Sequence, residues 1–130
     1  MLYRMARALA DIFQVVYFII APLIGVLGAF MSGSCTVSNT LFGALQFEAA
    51  SLLSLPQVLI VALQNCGGAI GNMICVNNVV AACATTGTFG QEGKIIRVNI
   101  VPCLIYSLIV AIVVGIMIYS GFNPMPELLN

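Results

Sequence analysis

The feature that most constrains this chain is an apolar stretch near its C-terminal end, from Ile100 to Tyr119, which contains no charged residue. A helix rises about 1.5 Å per residue, so twenty residues cover the roughly 30 Å hydrocarbon core of a bilayer. A second stretch of the same length, Ile12 to Met31, contains one strongly polar side chain, Gln14. The sequence therefore predicts two membrane-spanning helices, one near each end.

The whole chain is too poor in charge to form a water-compatible surface. Hydrophobic residues account for 62% of its 130 residues and charged residues for 6%, whereas soluble domains carry about a quarter charged residues. The formal net charge is zero, with no basic patch to attract nucleic acid. The predicted fold class is therefore all-α, a polytopic integral membrane protein whose partner is the lipid bilayer and not nucleic acid.

Two polar but uncharged stretches interrupt the apolar sequence between the spans. The first is SGSCTVSNT, residues 32–40, and the second is QNCGGAIGNMICVNN, residues 64–78. Backbone groups cannot stay unpaired in hydrocarbon, so non-helical chain at membrane depth occurs only where it is buried in protein or lines a watery cavity. The two breaks predict discontinuous or re-entrant helices, about four to five helical segments in all, arranged as at the substrate site of a secondary transporter.

The predicted organisation is a single membrane domain over residues 1–130. Its segments are a helix over 12–31, a break over 32–40, a half-helix over 41–55, a broken helix over 56–86, a loop over 87–98 and a transmembrane helix over 99–120. Transporters with such breaks commonly contain an inverted second repeat, and this chain contains one set of breaks. We therefore expect it to be a fragment that works with the remainder of a larger transporter.

Glycine, hydroxyl and amide residues in the two breaks are the candidate substrate-binding residues. Glycine lets the helix open, and serine, threonine and asparagine supply uncharged hydrogen-bonding groups. The positive ends of half-helix dipoles favour an anion there without a formal charge in the membrane. The predicted binding residues are Ser34, Thr36, Ser38, Asn39, Thr40, Gly67, Gly68, Gly71, Asn72, Asn77 and Asn78.

Packing is the alternative explanation for several of these residues. Glycines four positions apart, such as Gly67 and Gly71, also mediate close helix contacts. The hydroxyls of Ser34, Thr36 and Ser38 could bond back to their own helix. Four asparagines within fifteen residues exceed what packing needs, so the asparagines favour a binding function.

Catalytic, cofactor and metal chemistry have no visible apparatus in the sequence. The chain has no histidine, and its five cysteines include no C-x-x-C pair, so a zinc site is not predicted. The segment GQEGKII, residues 90–96, fails the P-loop pattern because Thr88 and Ile95 stand where that pattern needs glycine and a hydroxyl residue. We predict no enzyme activity and no cofactor.

Three stretches carry a resemblance to a known family. They are SGSCTVSNTLF at 32–42, ALQNCGGAIGNMICVNNVVAACATTG at 62–87 and GQEGKIIR at 90–97, and they resemble the L-lactate permease family. The resemblance runs through most of residues 12–119 and implies the C-terminal portion of a multi-pass protein of the cell inner (plasma) membrane. It implies secondary active transport of a small monocarboxylate, L-lactate or glycolate, by proton symport.

Two positions depart from the family pattern. The chain has Cys35 and Asn77 where that pattern has asparagine and histidine. Because histidine is the usual proton carrier near neutral pH, sodium stays an alternative coupling ion. Two other functions also stay open: an oligomeric channel subunit, and a non-transporting membrane assembly protein in which the breaks are packing defects.

Overall fold

The protein folds into helices over the residues that the computed structural model describes, 1–122 and 124. In chain order the six α-helices are α1 Leu2–Phe13, α2 Tyr17–Ser32, α3 Cys35–Leu52, α4 Gln57–Gly71, α5 Val76–Thr86 and α6 Glu92–Tyr119, with a 3₁₀ turn at Gln14–Val16. The all-α prediction is confirmed. Residues 123 and 125–130 of the predicted 1–130 domain lie outside the described residues.

Among the described residues, two segments are long and apolar enough to cross a membrane. One is α6, with 28 residues and a mean hydropathy of 2.7 in its most apolar window. The other is Gln57–Thr86, in which α4 and α5 together span 30 residues at a mean hydropathy of 1.6. Helices α4 and α5 lie within the region predicted as a broken helix, 56–86, and α6 begins at Glu92, inside the region predicted as a loop, 87–98.

The N-terminal part of the chain forms two helices where one was predicted over 12–31. Helix α1 continues to Phe13, and Gln14 then adopts a positive φ of 33°, which ends it. Helix α2 begins at Tyr17 and is a 16-residue apolar helix. Helix α1 is amphipathic and packs against α3, burying Ala6 and Ala10.

Helices α2 and α3 form an antiparallel hairpin whose tip is the first break. Gly33 ends α2 in the left-handed conformation, with φ 74°, which favours glycine. Ser34 then caps α3, because its Oγ accepts a hydrogen bond from the Val37 backbone N–H at 3.3 Å. The non-helical part is therefore residues 33–34, and most of the predicted 32–40 break lies in the first turns of α3, because serine is also a helix-start residue.

Helix α4 lies along α2 with very close backbone contact. A Cβ added to Gly67 would collide with the carbonyl oxygen of Pro22, and one added to Gly71 would lie 2.6 Å from the Val26 carbonyl oxygen. Both glycines are buried, and α4 stays helical through Gly71. The expectation that Gly67, Gly68 and Gly71 open the helix is therefore wrong, because all three are helical. At Gly67 and Gly71, close packing on α2 and not unwinding requires the missing side chain.

Helix α6 packs on the bundle through a narrow stripe of small residues. Cys103, Ser107 and Ala111 are buried and spaced four residues apart, whereas most of the large apolar side chains of α6 are exposed. Small residues let helices approach closely in a membrane, where lipid covers the remaining apolar surface. This division is expected for a spanning helix.

Candidate substrate site at the two helix breaks

The hairpin tip lies against the second break. A Cβ built on Gly33 would lie 3.3 Å from Cys75 Sγ and 3.4 Å from Asn77 Nδ2. Gly33 and Ser34 lead into α3, and residues 72–75 lead into α5, so the N-terminal ends of two helices come together here. We call this place the break junction. Helix N-terminal ends carry N–H groups that lack intrahelical partners and a partial positive charge, so the junction favours an anion.

Three asparagines surround the second break. Asn78 Nδ2 donates to the Asn72 backbone carbonyl at 3.3 Å and to Asn72 Oδ1 at 3.4 Å. Asn77 and Asn78 are exposed, and Asn72 is half-buried. These amides are therefore accessible hydrogen-bonding groups beside the ends of α3 and α5.

A series of buried hydrogen bonds crosses α2, α3 and α4. The Tyr17 hydroxyl donates to Gln46 Oε1 at 2.6 Å, and Gln46 Nε2 donates to Gln64 Oε1 at 3.1 Å. Gln64 Nε2 donates in turn to Ser38 Oγ at 3.1 Å. All four side chains are fully buried. Within the described part of the chain, no buried side-chain nitrogen or oxygen lacks a hydrogen-bond partner.

These bonds continue outward to Asn39 and Asn65. Gln64 Nε2 contacts Asn39 Oδ1 at 3.5 Å, and Asn39 Nδ2 donates to Asn65 Oδ1 at 2.7 Å. Asn39 Nδ2 also lies 3.5 Å from Cys35 Sγ. We call the six side chains the relay: Tyr17, Gln46, Gln64, Ser38, Asn39 and Asn65.

The structure brings together only some of the predicted site residues. Ser38 and Asn39 belong to the relay, and Gly68 faces it, since an added Cβ would lie 3.1 Å from Cys35 Sγ and 3.5 Å from Asn39 Oδ1. A second group, comprising Ser34, Asn72, Asn77 and Asn78, lies at the break junction.

Four predicted residues lie apart from both groups. Thr36 and Thr40 are exposed, and Thr40 Oγ1 donates to the Thr36 carbonyl of its own helix at 2.9 Å. Gly67 and Gly71 face α2 and serve its packing. For these four, the geometry supports the packing or self-bonding alternative.

Sequence reasoning missed the most buried polar residues. Gln46 lies two residues before Glu48 in an otherwise apolar segment, and Gln64 is the first residue of the second polar stretch; an amide whose helical neighbours are apolar is the signal that could have identified them. It also missed Asn99 on α6, whose Nδ2 donates to the Met73 carbonyl at 3.1 Å inside the second break. Asn99 thereby satisfies a backbone group that the helix interruption leaves without a helical partner.

The described residues contain no cluster of metal-binding side chains. Over residues 1–122 and 124, no three His, Cys, Asp or Glu side chains lie close enough to hold an ion. The polar groups that converge at the junction and along the relay are amides, hydroxyls and the two thiols of Cys35 and Cys75. Such groups can hold a small ligand by hydrogen bonds but offer no nucleophile–base pair.

Comparison with known proteins matches the chain to a permease family. Residues 1–120 match the family model described as L-lactate permease. The chain is 42% identical over 106 residues to a Haemophilus influenzae protein that carries the L-lactate permease name, covering 82% of this chain and 20% of the relative. It is 37% identical to the L-lactate permease and 36% identical to the glycolate permease GlcA of Escherichia coli K12, each over 99 residues, covering 76% of this chain and 18% of each relative.

The match is extensive for this chain but partial for its relatives. The chain spans about a fifth of the length of the relatives named above. No solved structure matches it. Because the family model covers nearly the whole chain, the resemblance read from its sequence is confirmed: the chain belongs to the L-lactate permease family, a family of membrane transporters and not of enzymes.

Proposed function

We propose that this chain supplies part of the substrate site of a secondary transporter that carries L-lactate or glycolate across the plasma membrane. The observation that carries the proposal is the break junction, where the N-terminal ends of α3 and α5 meet beside three asparagines. L-Lactate and glycolate are small anions that need several hydrogen-bond donors once they leave water. A junction of helix N-terminal ends and amides supplies these donors without a formal positive charge.

The binding residues divide into two roles under this proposal. Asn72, Asn77 and Asn78 contact the substrate from the second break, and Ser34 holds the start of α3 so that its N–H groups face the junction. Ser38 and Asn39 support the site from inside the hairpin, and Gly68 leaves room beside them.

Transport would proceed by alternating access around this junction. The hairpin is held to α4 by buried bonds, whereas the substantial contacts of α5 are with α6 alone. Helix α5 is bounded by the 72–75 break and by Gly87, whose φ is 70°. Movement of α5 relative to the hairpin would open the junction to one side of the membrane and then to the other.

Coupling to protons completes the proposal. The chain contains no histidine, so a carboxylate or a group in the remainder of the transporter would carry the proton. Sodium coupling is the competing outcome, and an imposed ion gradient distinguishes the two.

The test uses a complete permease in which this segment occupies its matched place, purified and reconstituted into liposomes. We expect uptake of labelled L-lactate to saturate, to be competed by glycolate and to accelerate under an inward proton gradient. Acceleration by a sodium gradient alone would reject proton coupling. Flux that rises without saturation would reject the transporter in favour of a channel.

A further inference from the structure

We infer that Asn65 is a substrate-binding residue whose Nδ2 group donates to the substrate carboxylate, and that the relay fixes this orientation. The inference rests on the proposed function and adds to it a residue outside the predicted set. It follows from the direction of the hydrogen bonds in the relay, which two backbone carbonyls of α2 determine.

The first of these carbonyls belongs to Ala21. It lies 3.1 Å from the amide nitrogen of Gln46 and can only accept a hydrogen bond. Gln46 must therefore place Nε2 toward Ala21 and Oε1 toward the Tyr17 hydroxyl. Since Nε2 also meets the side chain of Gln64, Gln64 must present Oε1 to it.

The second carbonyl belongs to Gly25. Ser38 Oγ lies 2.9 Å from it, so the single hydroxyl hydrogen of Ser38 is donated there. The Ser38 oxygen must then accept from Gln64, which agrees with the Gln64 orientation that Gln46 requires. Two independent carbonyls thus impose the same direction on the buried part of the relay.

The hydrogen bonds keep the same donor-to-acceptor direction from Gln64 to the exposed end of the relay at Asn65. Gln64 presents Nε2 to Asn39, so Asn39 turns Oδ1 inward and Nδ2 outward to Asn65 Oδ1 at 2.7 Å. Cys35 Sγ lies 3.5 Å from the same oxygen of Asn65. Asn65 therefore has its acceptor engaged, and its Nδ2 points away from Asn39. Among the hydrogen bonds of the described residues, Asn65 Nδ2 makes none.

The exposed end of the relay suits an anionic ligand. Hydrogen bonds aligned in one sense polarise one another, which strengthens the last donor. A carboxylate only accepts hydrogen bonds, and bonds to an ionised group are the stronger kind. Asn65 is exposed and lies two helical turns before Asn72 on the same face of α4, so it faces the side of the helix that leads to the break junction.

Asn39 has a different role in this arrangement. Its Oδ1 is engaged by Gln64 and its Nδ2 by Asn65 and Cys35. Asn39 is therefore a positioning residue that transmits the orientation, and Asn65 makes the contact.

The decisive variant is Asn65→Asp in the complete permease. It keeps an oxygen that can accept from Asn39 but replaces the proposed donor with an anionic oxygen. We expect the KM for L-lactate to rise at least roughly tenfold, the loss typical of one hydrogen bond to a charged ligand. Gln91→Glu is the matched control, because it makes the same amide-to-acid change at the exposed residue before α6, and its KM should stay unchanged.

A second readout separates substrate contact from a merely structural effect. Lactamide has the size of lactate but no negative charge, and its inhibition constant is compared with the KM for lactate in each variant. Asn65→Asp should weaken lactate binding far more than lactamide binding, whereas general damage to the site would weaken both equally. An unchanged KM, or an equal loss for both compounds, would overturn the assignment of Asn65. Loss of saturable lactate uptake already in the unaltered permease would instead reject the proposed function.

Discussion

The two breaks look alike in sequence but use their polar groups in opposite ways. At the first break, the interruption is two residues long, and the polar residues that follow it bond to α2 and α4. At the second break, four residues leave the helix, and Asn77 and Asn78 face outward. The side chains after the first break therefore fix one helix on another, whereas the second break leaves exposed amides that, under the proposed function, contact the substrate.

This difference teaches that polar density alone does not identify a binding site in a membrane protein. A buried amide with all its bonds made inside the protein holds helices together. An amide at the rim of a helix interruption can exchange water for substrate. Substitutions at the two breaks should therefore affect different properties of the transporter, and the following experiments measure that separation.

The largest effect on stability is expected for Gln64→Leu at the centre of the relay. Leucine fills a similar volume but removes the bonds to Gln46, Ser38 and Asn39. We expect the free energy of unfolding to fall by about 2–4 kcal/mol, because several buried groups lose a partner at once. This free energy is measured by reversible unfolding in detergent. Asn78→Leu, at the second break, should cost much less, and equal losses would contradict the distinction between the buried relay and the exposed amides of the second break.

A smaller loss is expected for Gly67→Ala, with Gly68→Ala as its neighbour control. The added methyl of Gly67→Ala meets the backbone of Pro22, which cannot move without separating α2 from α4. The methyl of Gly68→Ala meets the Cys35 thiol at 3.1 Å, and that side chain can rotate. Thermal unfolding should report a loss of about 1–3 kcal/mol for Gly67→Ala and a clearly smaller one for Gly68→Ala. A larger loss for Gly68→Ala than for Gly67→Ala would contradict the assignment of the close contact between α2 and α4 to Gly67.

The smallest effect on stability is expected for Asn78→Ala at the second break. Asn78 is exposed and bonds only to Asn72 across the interruption, so unfolding should change by no more than about 0.5 kcal/mol. The KM for L-lactate should nevertheless rise roughly tenfold, because Asn78 Nδ2 would exchange its bonds to Asn72 for a bond to the charged ligand, and the variant lacks that donor. A stable variant with an unchanged KM would remove Asn78 from the site.

Much of the fold could be predicted from the sequence because hydrocarbon imposes simple rules. The uncharged length of Ile100 to Tyr119 identified α6, and the glycine and asparagine residues after Gln64 identified an interruption between residues 56 and 86, where the structure has α4 and α5. Resemblance supplied the family, which the match over residues 1–120 confirms. These features depend on local composition, which a single sequence contains in full.

The buried hydrogen bonds between helices could not be predicted from the sequence, because they depend on which helices become neighbours. Gln46 and Gln64 are 18 residues apart, and only the antiparallel packing of α3 on α4 brings their amides within 3.1 Å. The predicted bounds of the first break, 32–40, differ from the structure for a related reason. Ser34 can end one helix or cap the next, and it does the latter because Gly33 alone makes the turn.

The central claim is that the two breaks form one substrate site. The most direct test is whether substrate protects a thiol at each break from alkylation. In the complete permease, alkylation of the native thiol of Cys35 reports on the first break, and Asn78→Cys reports on the second. The buried thiol of Cys83 serves as the internal reference. Rates at each position are measured by peptide-resolved mass spectrometry with increasing L-lactate. We expect alkylation at positions 35 and 78 to slow with the same half-maximal concentration, close to the KM for uptake that the Asn78→Cys variant itself shows. Protection at only one position, or at neither, would contradict a single site formed by the two breaks.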